Sequence, residues 1–384
     1  LSPDGQKVAF SRDYNLWVRD LNTNIERALT TDGQEYYQYA IPGSVYGNDA
    51  FISLLGLQAL WSPDSKRLFT VQLDQRQIKT VGVVTHVPSE GSLRPQTSFR
   101  KLAFPKDKHI EEYRLLTINV ETAHSQEASY GRLPVTYGGC GGFFENSFGW
   151  WGTDNTSAYF VDVDRYYKYA RVVEFNTDTG TTKILFEETS TTQIDLTMGA
   201  FDQAHFIPLP ETEELLWYSN RSDWSHYYLY DLKNGELKNT VTSGSWLVRD
   251  MVHFDAKRRD LFVTTSGRSE EKDPYYRDLI KVNVDSGEIT TLISSDHEII
   301  TVSPKDIMQS LNGYVGTACG VSPLGDYAVV TRSRADQMPE SYLLNRDGKK
   351  VLDLEAPDSS KLPKNWRWPE PVKMIAADGV TDIY

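Results

Sequence analysis

Five residues, Gly138-Gly139-Cys140-Gly141-Gly142, formally satisfy Gly-x-Cys-x-Gly, a turn that can lift a nucleophile from the end of a strand onto the start of a helix. That chemistry needs a strand before and a helix after. Phe143 to Trp151 shows no helical periodicity, so a flexible glycine-rich loop is expected and no catalytic residue is assigned. No Gly-x-Ser-x-Gly elbow occurs in the chain. The histidines, His86, His109, His124, His205, His226, His253 and His297, are scattered singly without the spacing of a metal site, so structural or surface roles are expected, with no metal and no cofactor.

Two carboxylates side by side can hold an ammonium through charge-assisted hydrogen bonds, and Glu111-Glu112 is such a pair. It follows Lys106 and Lys108, and a solvated charged face is the expectation. Glu213-Glu214, Glu270-Glu271 and Arg258-Arg259 sit at expected turns and receive the same reading. Asn155-Thr156-Ser157 and Asn220-Arg221-Ser222 match the glycosylation sequon, yet Asn and Ser are common in turns for local reasons.

A net charge of −13 argues against a phosphate-binding surface, so no nucleic-acid partner is expected. No apolar run approaches the roughly 18 to 20 residues of a membrane helix. Leu1 opens directly on a turn with no signal-peptide pattern before it, which reads as a piece of something longer. Cys140 and Cys319 make no disulfide framework and leave the compartment open.

The elements come from a repeated pattern. Aromatics form 12% of the residues, which together with frequent Val and Thr favours pleated, half-buried surfaces. The clearest copy runs from Tyr218 to Thr242: a strand ending at Ser219, an alternating strand from Tyr227 to Leu232, a tight turn at Asn234-Gly235 with two positive φ angles, and a return from Leu237 to Val241. Ala204 to Ile207 is a candidate fourth strand. The pattern recurs after Ser2-Pro3-Asp4-Gly5 (Lys7 to Ser11, Asn15 to Leu21, Ile25 to Leu29) and after Trp61-Ser62-Pro63-Asp64 (Arg67 to Gln72, Lys79 to Thr85, Arg114 to Val120). It returns after Gly152-Thr153-Asp154-Asn155 (Tyr159 to Val163, Ala170 to Asn176, Lys183 to Phe186). A fifth copy has Asp250 to Phe254, Asp260 to Thr265, Asp278 to Val284 and Ile289 to Ile293. The sixth has Thr317 to Val321, Tyr327 to Thr331, Ser341 to Asn345 and Val351 to Leu354.

Sheets with two apolar faces must stack on neighbours, and radial repetition is the usual solution. The expectation is an all-β chain, a β-propeller of four-stranded antiparallel blades, about six of them, over residues 1–356. The first sheet lacks an innermost strand. The stretches from Glu35 to Gly56 and from Val87 to Glu112 are too long for blade hairpins and are expected to reach over one face of the ring. A Pro-containing linker follows at 357–371, and 372–384 begins a new hairpin.

The Ser-Pro-Asp turns, Trp217-Tyr218-Ser219-Asn220-Arg221 leading to Tyr227-Tyr228-Leu229-Tyr230-Asp231, and the exit hairpin from Val372 to Tyr384 together resemble the dipeptidyl peptidase IV branch of the prolyl oligopeptidase family. The resemblance implies an eight-bladed parent propeller capping a serine-type α/β-hydrolase that begins near Val372 and releases short peptides from N-termini. It implies a periplasmic or extracellular setting. The chain itself would be a non-catalytic part that gates and orients short peptide substrates for that C-terminal domain. In the family a glutamate pair holds the substrate's amino group within a Val-Tyr-acidic-Phe stretch. Here that stretch is Val45-Tyr46-Gly47-Asn48-Asp49-Ala50-Phe51, where Asp49 keeps a carboxylate and Asn48 replaces the other. An Arg-Phe pair that faces substrate in relatives is Ala200-Phe201 here. Asp49 and Phe201 are therefore the implied substrate-binding residues. An incomplete ring would leave two sheet faces uncovered, and a homodimer is one assembly that covers them. The alternative is a stand-alone propeller scaffold for protein–protein interaction, because the fold proves no function.

Overall fold

The computed structural model describes residues 1–42, 56–89, 91–134, 143–144, 148–196, 204–269, 272–300, 320–355 and 357–384. The architecture is a β-propeller: among the described residues six antiparallel sheets of three to five strands follow one another, four of them plain four-stranded meanders, beside two two-stranded hairpins. The third contains Gly149–Trp151, Ser157–Val163, Tyr169–Asn176 and Thr182–Thr189. The fourth contains Ile207–Leu209, Glu214–Ser219, His226–Asp231 and Leu237–Thr240. Leu247–Asp255, Asp260–Ser266, Asp278–Asn283 and Ile289–Ile293 make the fifth, and Glu298–Ile300, Tyr327–Arg334, Gln337–Asn345 and Lys350–Glu355 the sixth. The first sheet has the three expected strands, Lys7–Arg12, Asn15–Asp20 and Glu26–Ala28.

Period-two alternation explains why the sheets stack. In Glu214–Ser219, Leu215 and Trp217 join a core shared with the second and third sheets, while Leu216 and Tyr218 join one shared with the fifth. Two further cores link the first sheet to the second and the fifth to the sixth. Among the described residues no core joins the first sheet to the sixth. The last strand of each four-stranded meander is its most exposed, which sets that strand at the rim and the first strand at the inner edge.

Two local devices repeat. Ser62 Oγ donates to Asp64 Oδ1 at 2.7 Å and accepts from the Arg67 N–H at 2.9 Å, closing the turn into the second strand; Ser2 and Asp4 do the same at 2.6 Å. At the turn after the third strand, an Asx side chain caps the backbone. Asp20, Asn119, Asn176, Asp231, Asn283 and Asn345 each accept a nearby N–H through Oδ1. This turn corrects the expectation at Asn234-Gly235. Only Gly235 has a positive φ (77°), and its N–H bonds to the Asp231 carbonyl, so the loop is longer than a two-residue hairpin.

Other expectations also shift. Thr80–Thr85, assigned to the second sheet, instead pairs with Gln96–Lys101 as a separate hairpin. The outer strands of the second sheet are Glu112–Asn119 and Ser125–Pro134. The inner strand of the fourth sheet is Ile207–Leu209, and Ala204 to Phe206 are buried coil before it. In the sixth sheet Glu298–Ile300 fills the inner position given to Thr317 to Val321. Val321 forms an isolated bridge with Ala328, and Thr317 to Cys319 lie outside the described residues. Met374–Ile375 and Asp382–Ile383 form a small exposed hairpin. Among the described residues no helix is long and apolar enough to cross a membrane.

Candidate functional site

A meander alternates its turns between two ends. In each four-stranded meander the turns that join the first two and the last two strands lie at one end, and the connection between the middle strands lies at the other. The second sheet departs from this plain pattern at its inner edge. Tyr37–Tyr39 pairs with Asp74 through Gln72, the Ala40 N–H bonds to the Val71 carbonyl at 2.8 Å, and Ala59–Trp61 pairs with Thr70 through Leu68. These are two halves of one inner strand, interrupted at Val71. The interruption closes at its base, where the Gln58 N–H donates to the Ala40 carbonyl at 2.9 Å. Asp49 belongs to the sequence inserted there and itself lies outside the described residues.

Two further insertions end at inner edges. The His205 N–H donates to the Leu196 carbonyl at 2.8 Å just before the inner strand of the fourth sheet. The Phe148 N–H donates to the Phe143 carbonyl at 3.0 Å just before that of the third. Phe201 and the glycines around Cys140 fall within those two insertions and are also outside the described residues.

The three bases are tied together. Gln58 is fully buried; its Oε1 accepts from the Phe144 N–H at 3.3 Å and its Nε2 donates to the Gly56 carbonyl at 2.9 Å. Phe144 packs edge-on to Phe143 (5.0 Å between ring centres) and to Phe69 (5.0 Å). Phe148 packs edge-on to Phe206 (5.3 Å), and Phe206 stacks on Trp217 (5.5 Å). Each such pair adds about 0.5–1.5 kcal/mol beyond its area. A rigid aromatic floor thus underlies the roots of the three insertions. Gly149 is required in it, since a Cβ there would lie 2.7 Å from the Phe144 ring and 2.8 Å from the Phe143 ring.

Beside this floor a buried polar knot joins the third and fourth sheets. Glu188 accepts from Trp217 Nε1 (2.7 Å), Ser219 Oγ (2.6 Å) and Arg221 Nη2 (2.6 Å). Arg221 Nη1 also donates to the Tyr230 hydroxyl at 2.8 Å. Burial opposes the Arg221 charge, but Glu188 and Tyr230 together hold its pKa above the ordinary value. Between the second and third sheets, the Tyr130 hydroxyl donates to Asp162 Oδ2 at 2.8 Å, and burial raises the Asp162 carboxyl above its usual range. His205 is buried against Tyr218, and burial pushes its imidazole toward the neutral form.

Two members of the charged pairs read as solvated turn out buried, while Glu213 and Arg258 are exposed as read. Glu111 is buried and accepts from Gln75 Nε2 at 2.8 Å, while Glu112 is exposed. Glu214 is buried at the end of its strand, pairs with Arg259 at 2.8 Å and with Lys238, and so joins the fourth sheet to the fifth. Sequence reading missed these because a turn charge shows no partner until the neighbouring sheet is in place. Glu270-Glu271 lies outside the described residues. His226, His253 and His297 are buried or half-buried structural side chains, whereas His86, His109 and His124 are exposed. Among the described residues no three His, Cys, Asp or Glu gather as metal ligands. Asn155 sits at φ 61° and its Oδ1 accepts from the Asp64 N–H at 2.8 Å, a turn role that also links two sheets.

Residues 1–311 match the family described as the dipeptidyl peptidase IV (DPP IV) N-terminal region. A protein of Emericella nidulans named "Probable dipeptidyl peptidase 4" is 24% identical over 313 residues, 77% of this chain and 37% of that one. A "Probable dipeptidyl-aminopeptidase B" of Trichophyton verrucosum is 30% identical over 95 residues, 25% of this chain and 10% of that one. The crystal structure of Porphyromonas gingivalis dipeptidyl peptidase 4 is similar with a TM-score of 0.66 at 18% identity, over 92% of this chain and 44% of that one. At that identity the likeness speaks to fold. The chain spans well under half the length of these relatives.

Proposed function

This chain belongs to the family of dipeptidyl peptidase IV N-terminal regions, and from that membership we propose that it is the gating and substrate-orienting part of a serine exopeptidase acting on short peptides. The observation that carries the proposal is the interrupted inner strand of the second sheet. Two half-strands held by one continuous partner leave an insertion rooted at the inner edge, and its base is bonded to the base of the next. A rigid frame of this kind suits loops that must hold a peptide in one orientation. In this reading Asp49 takes the substrate's ammonium and Phe201 packs against its side chains. Residues 372–384 open the catalytic hydrolase domain and 357–371 link it to the propeller. Exposed Val372, Met374, Ile375 and Val380 fit a surface that such a domain would cover. A second copy of the chain is a further proposed partner, supported by the exposed Val351, Leu352 and Leu354 on the last strand of the sixth sheet.

The test compares hydrolysis of a dipeptidyl-proline chromogenic substrate by residues 1–384 and by a longer chain that includes the following domain. Activity is expected only in the longer chain, where Asp49→Ala should raise KM. Activity in residues 1–384, or none in the longer chain, rejects the reading.

One observation favours the alternative of a protein-interaction scaffold. The hairpin of Thr80–Thr85 and Gln96–Lys101 carries exposed Val83, Val84 and Phe99. A gene that continues past Tyr384 with Gly-x-Ser-x-Gly followed by Asp and His supports the peptidase; one that stops soon after supports the scaffold.

A further inference from the structure

We propose that Arg249 on the inner strand of the fifth sheet binds a carboxylate of the peptide that enters the propeller, an inference that rests on the peptidase reading above. The first observation is an imbalance of charge. Other half-buried arginines in this half of the propeller are committed: Arg221 to Glu188, Arg277 to Asp250 and Glu298, Arg334 to Asp296 and Asp336. The Arg249 side chain makes no hydrogen bond or ion pair with the described residues, although its Nε is enclosed by protein. The adjacent Asp250 is committed to its own strand neighbours: its Oδ2 accepts from Thr264 Oγ1 at 2.7 Å and from Arg277 Nη1 at 2.6 Å, and it makes no ion pair with Arg249. Enclosing a guanidinium nitrogen without a partner is costly, and a ligand anion removes that cost.

The second observation is the backbone. Strand Leu247–Asp255 pairs in register at Val248 with Thr265, then breaks register before Met251 meets Val263, and Arg249 lies in that irregularity. Such bulges take a residue out of the ladder and re-aim it. Both flanks are fixed. The Val248 N–H donates to the Ser225 carbonyl (2.8 Å), the Val248 carbonyl accepts from the Tyr218 hydroxyl (2.9 Å), and the Asp250 N–H donates to Thr264 Oγ1 (3.0 Å). Tyr218 packs on His205, so Arg249 stands next to the base of the insertion that ends at the fourth sheet. A single guanidinium in a chain of net charge −13 suits a monovalent planar anion, which its fork can grip bidentately, better than a phosphate polymer.

The experiment titrates the chain with a short peptide carrying either a free C-terminal carboxylate or its amide, followed by tryptophan fluorescence or calorimetry. A charge-assisted bond of this kind predicts about tenfold or greater preference for the carboxylate, lost in Arg249→Gln and partly kept in Arg249→Lys. A C-terminally amidated peptide with an acidic side chain tells the two sources apart: binding restored by that side chain assigns Arg249 to side-chain recognition, and failure to restore it assigns the C-terminus. Equal affinity of the wild-type chain for acid and amide, or a preference that survives Arg249→Gln, overturns the proposal. Should Arg249→Gln not fold, the wild-type and Arg249→Lys preferences decide. The readout is binding by this chain, so a longer chain that fails to hydrolyse peptides would reject the peptidase reading without deciding this one.

Discussion

Arg221 reaches from the fourth sheet to Glu188 of the third at 2.6 Å, and that same carboxylate also holds the Trp217 indole and the Ser219 hydroxyl. One anion therefore satisfies three donors at a sheet-to-sheet seam. Glu188→Ala should leave a buried indole N–H and a half-buried guanidinium without their acceptor, at a cost of about 3 kcal/mol in urea denaturation. Adding Arg221→Met should recover part of it. Additive losses in the double variant would refute the coupling.

Two turn glycines make a matched pair, Gly348 in an Asx turn and Gly5 in a Ser-Pro-Asp turn. Gly348 has φ 79°, and a Cβ there would lie 2.4 Å from the Leu292 carbonyl oxygen; Gly5 has φ 72° with nothing within 4 Å. Gly5→Ala should cost only the left-handed penalty, about 1–2 kcal/mol. Gly348→Ala must also push the turn off the fifth sheet and should lower the midpoint of chemical denaturation distinctly more. Equal losses would mean that the turn moves away freely.

The periodicity that made the repeat legible is local. Tyr227 to Leu232 stands out because both faces of a middle strand meet neighbouring sheets, and the glycines Gly235, Gly287 and Gly348 mark their turns by residue type alone, whereas the capping role of Asp231, Asn283 and Asn345 appears only in the structure. The fate of Thr80–Thr85 was not local, since an alternating strand reads the same whether it joins the sheet or pairs with its own hairpin partner. The interrupted inner strand was equally hidden: Tyr37–Tyr39 and Ala59–Trp61 are too short to announce themselves, and only their shared partner Arg67–Asp74 identifies them as one. Of the candidate site, the aromatic run Phe143-Phe144 and Phe148 to Trp151 was visible, but its meeting with Gln58 and Phe206 depends on sheet order. Arg249 falls just before the strand expected from Asp250, and nothing in the sequence shows that its neighbours are taken.

Asp162 gives the stability a pH dependence of unusual sign. Burial is the main influence and raises its carboxyl pKa, with the Tyr130 hydroxyl and Arg171 opposing. A carboxyl whose folded pKa exceeds its unfolded value contributes stability below the unfolded pKa and loses it as pH rises through the folded one. Asp162→Asn keeps an acceptor for Tyr130 without the charge, so it should be the more stable chain at neutral pH, with the gap closing toward about pH 4 as the wild-type carboxyl takes up its proton. Thermal melts of both chains across that range check this. A gap that widens in acid would show that the ionised form is the one the fold prefers.

Gln58 connects stability to the proposed function most directly, because its side chain ties the base of one insertion to that of the next. Gln58→Leu keeps the approximate volume and removes both polar contacts, leaving the buried Phe144 N–H without its acceptor at a cost of about 1–3 kcal/mol. The pairing of Tyr37–Tyr39 and Ala59–Trp61 with Arg67–Asp74 does not involve that side chain and should persist. Amide hydrogen exchange should therefore quicken at Phe144 and at the Gln58 N–H while the Arg67–Asp74 strand keeps its protection. In a longer chain with the hydrolase domain, KM for dipeptidyl substrates should rise with kcat little changed, because the frame orients the peptide and does not touch the bond that breaks. A fall in kcat at constant KM would place Gln58 on the path of the chemical step and count against an orienting frame.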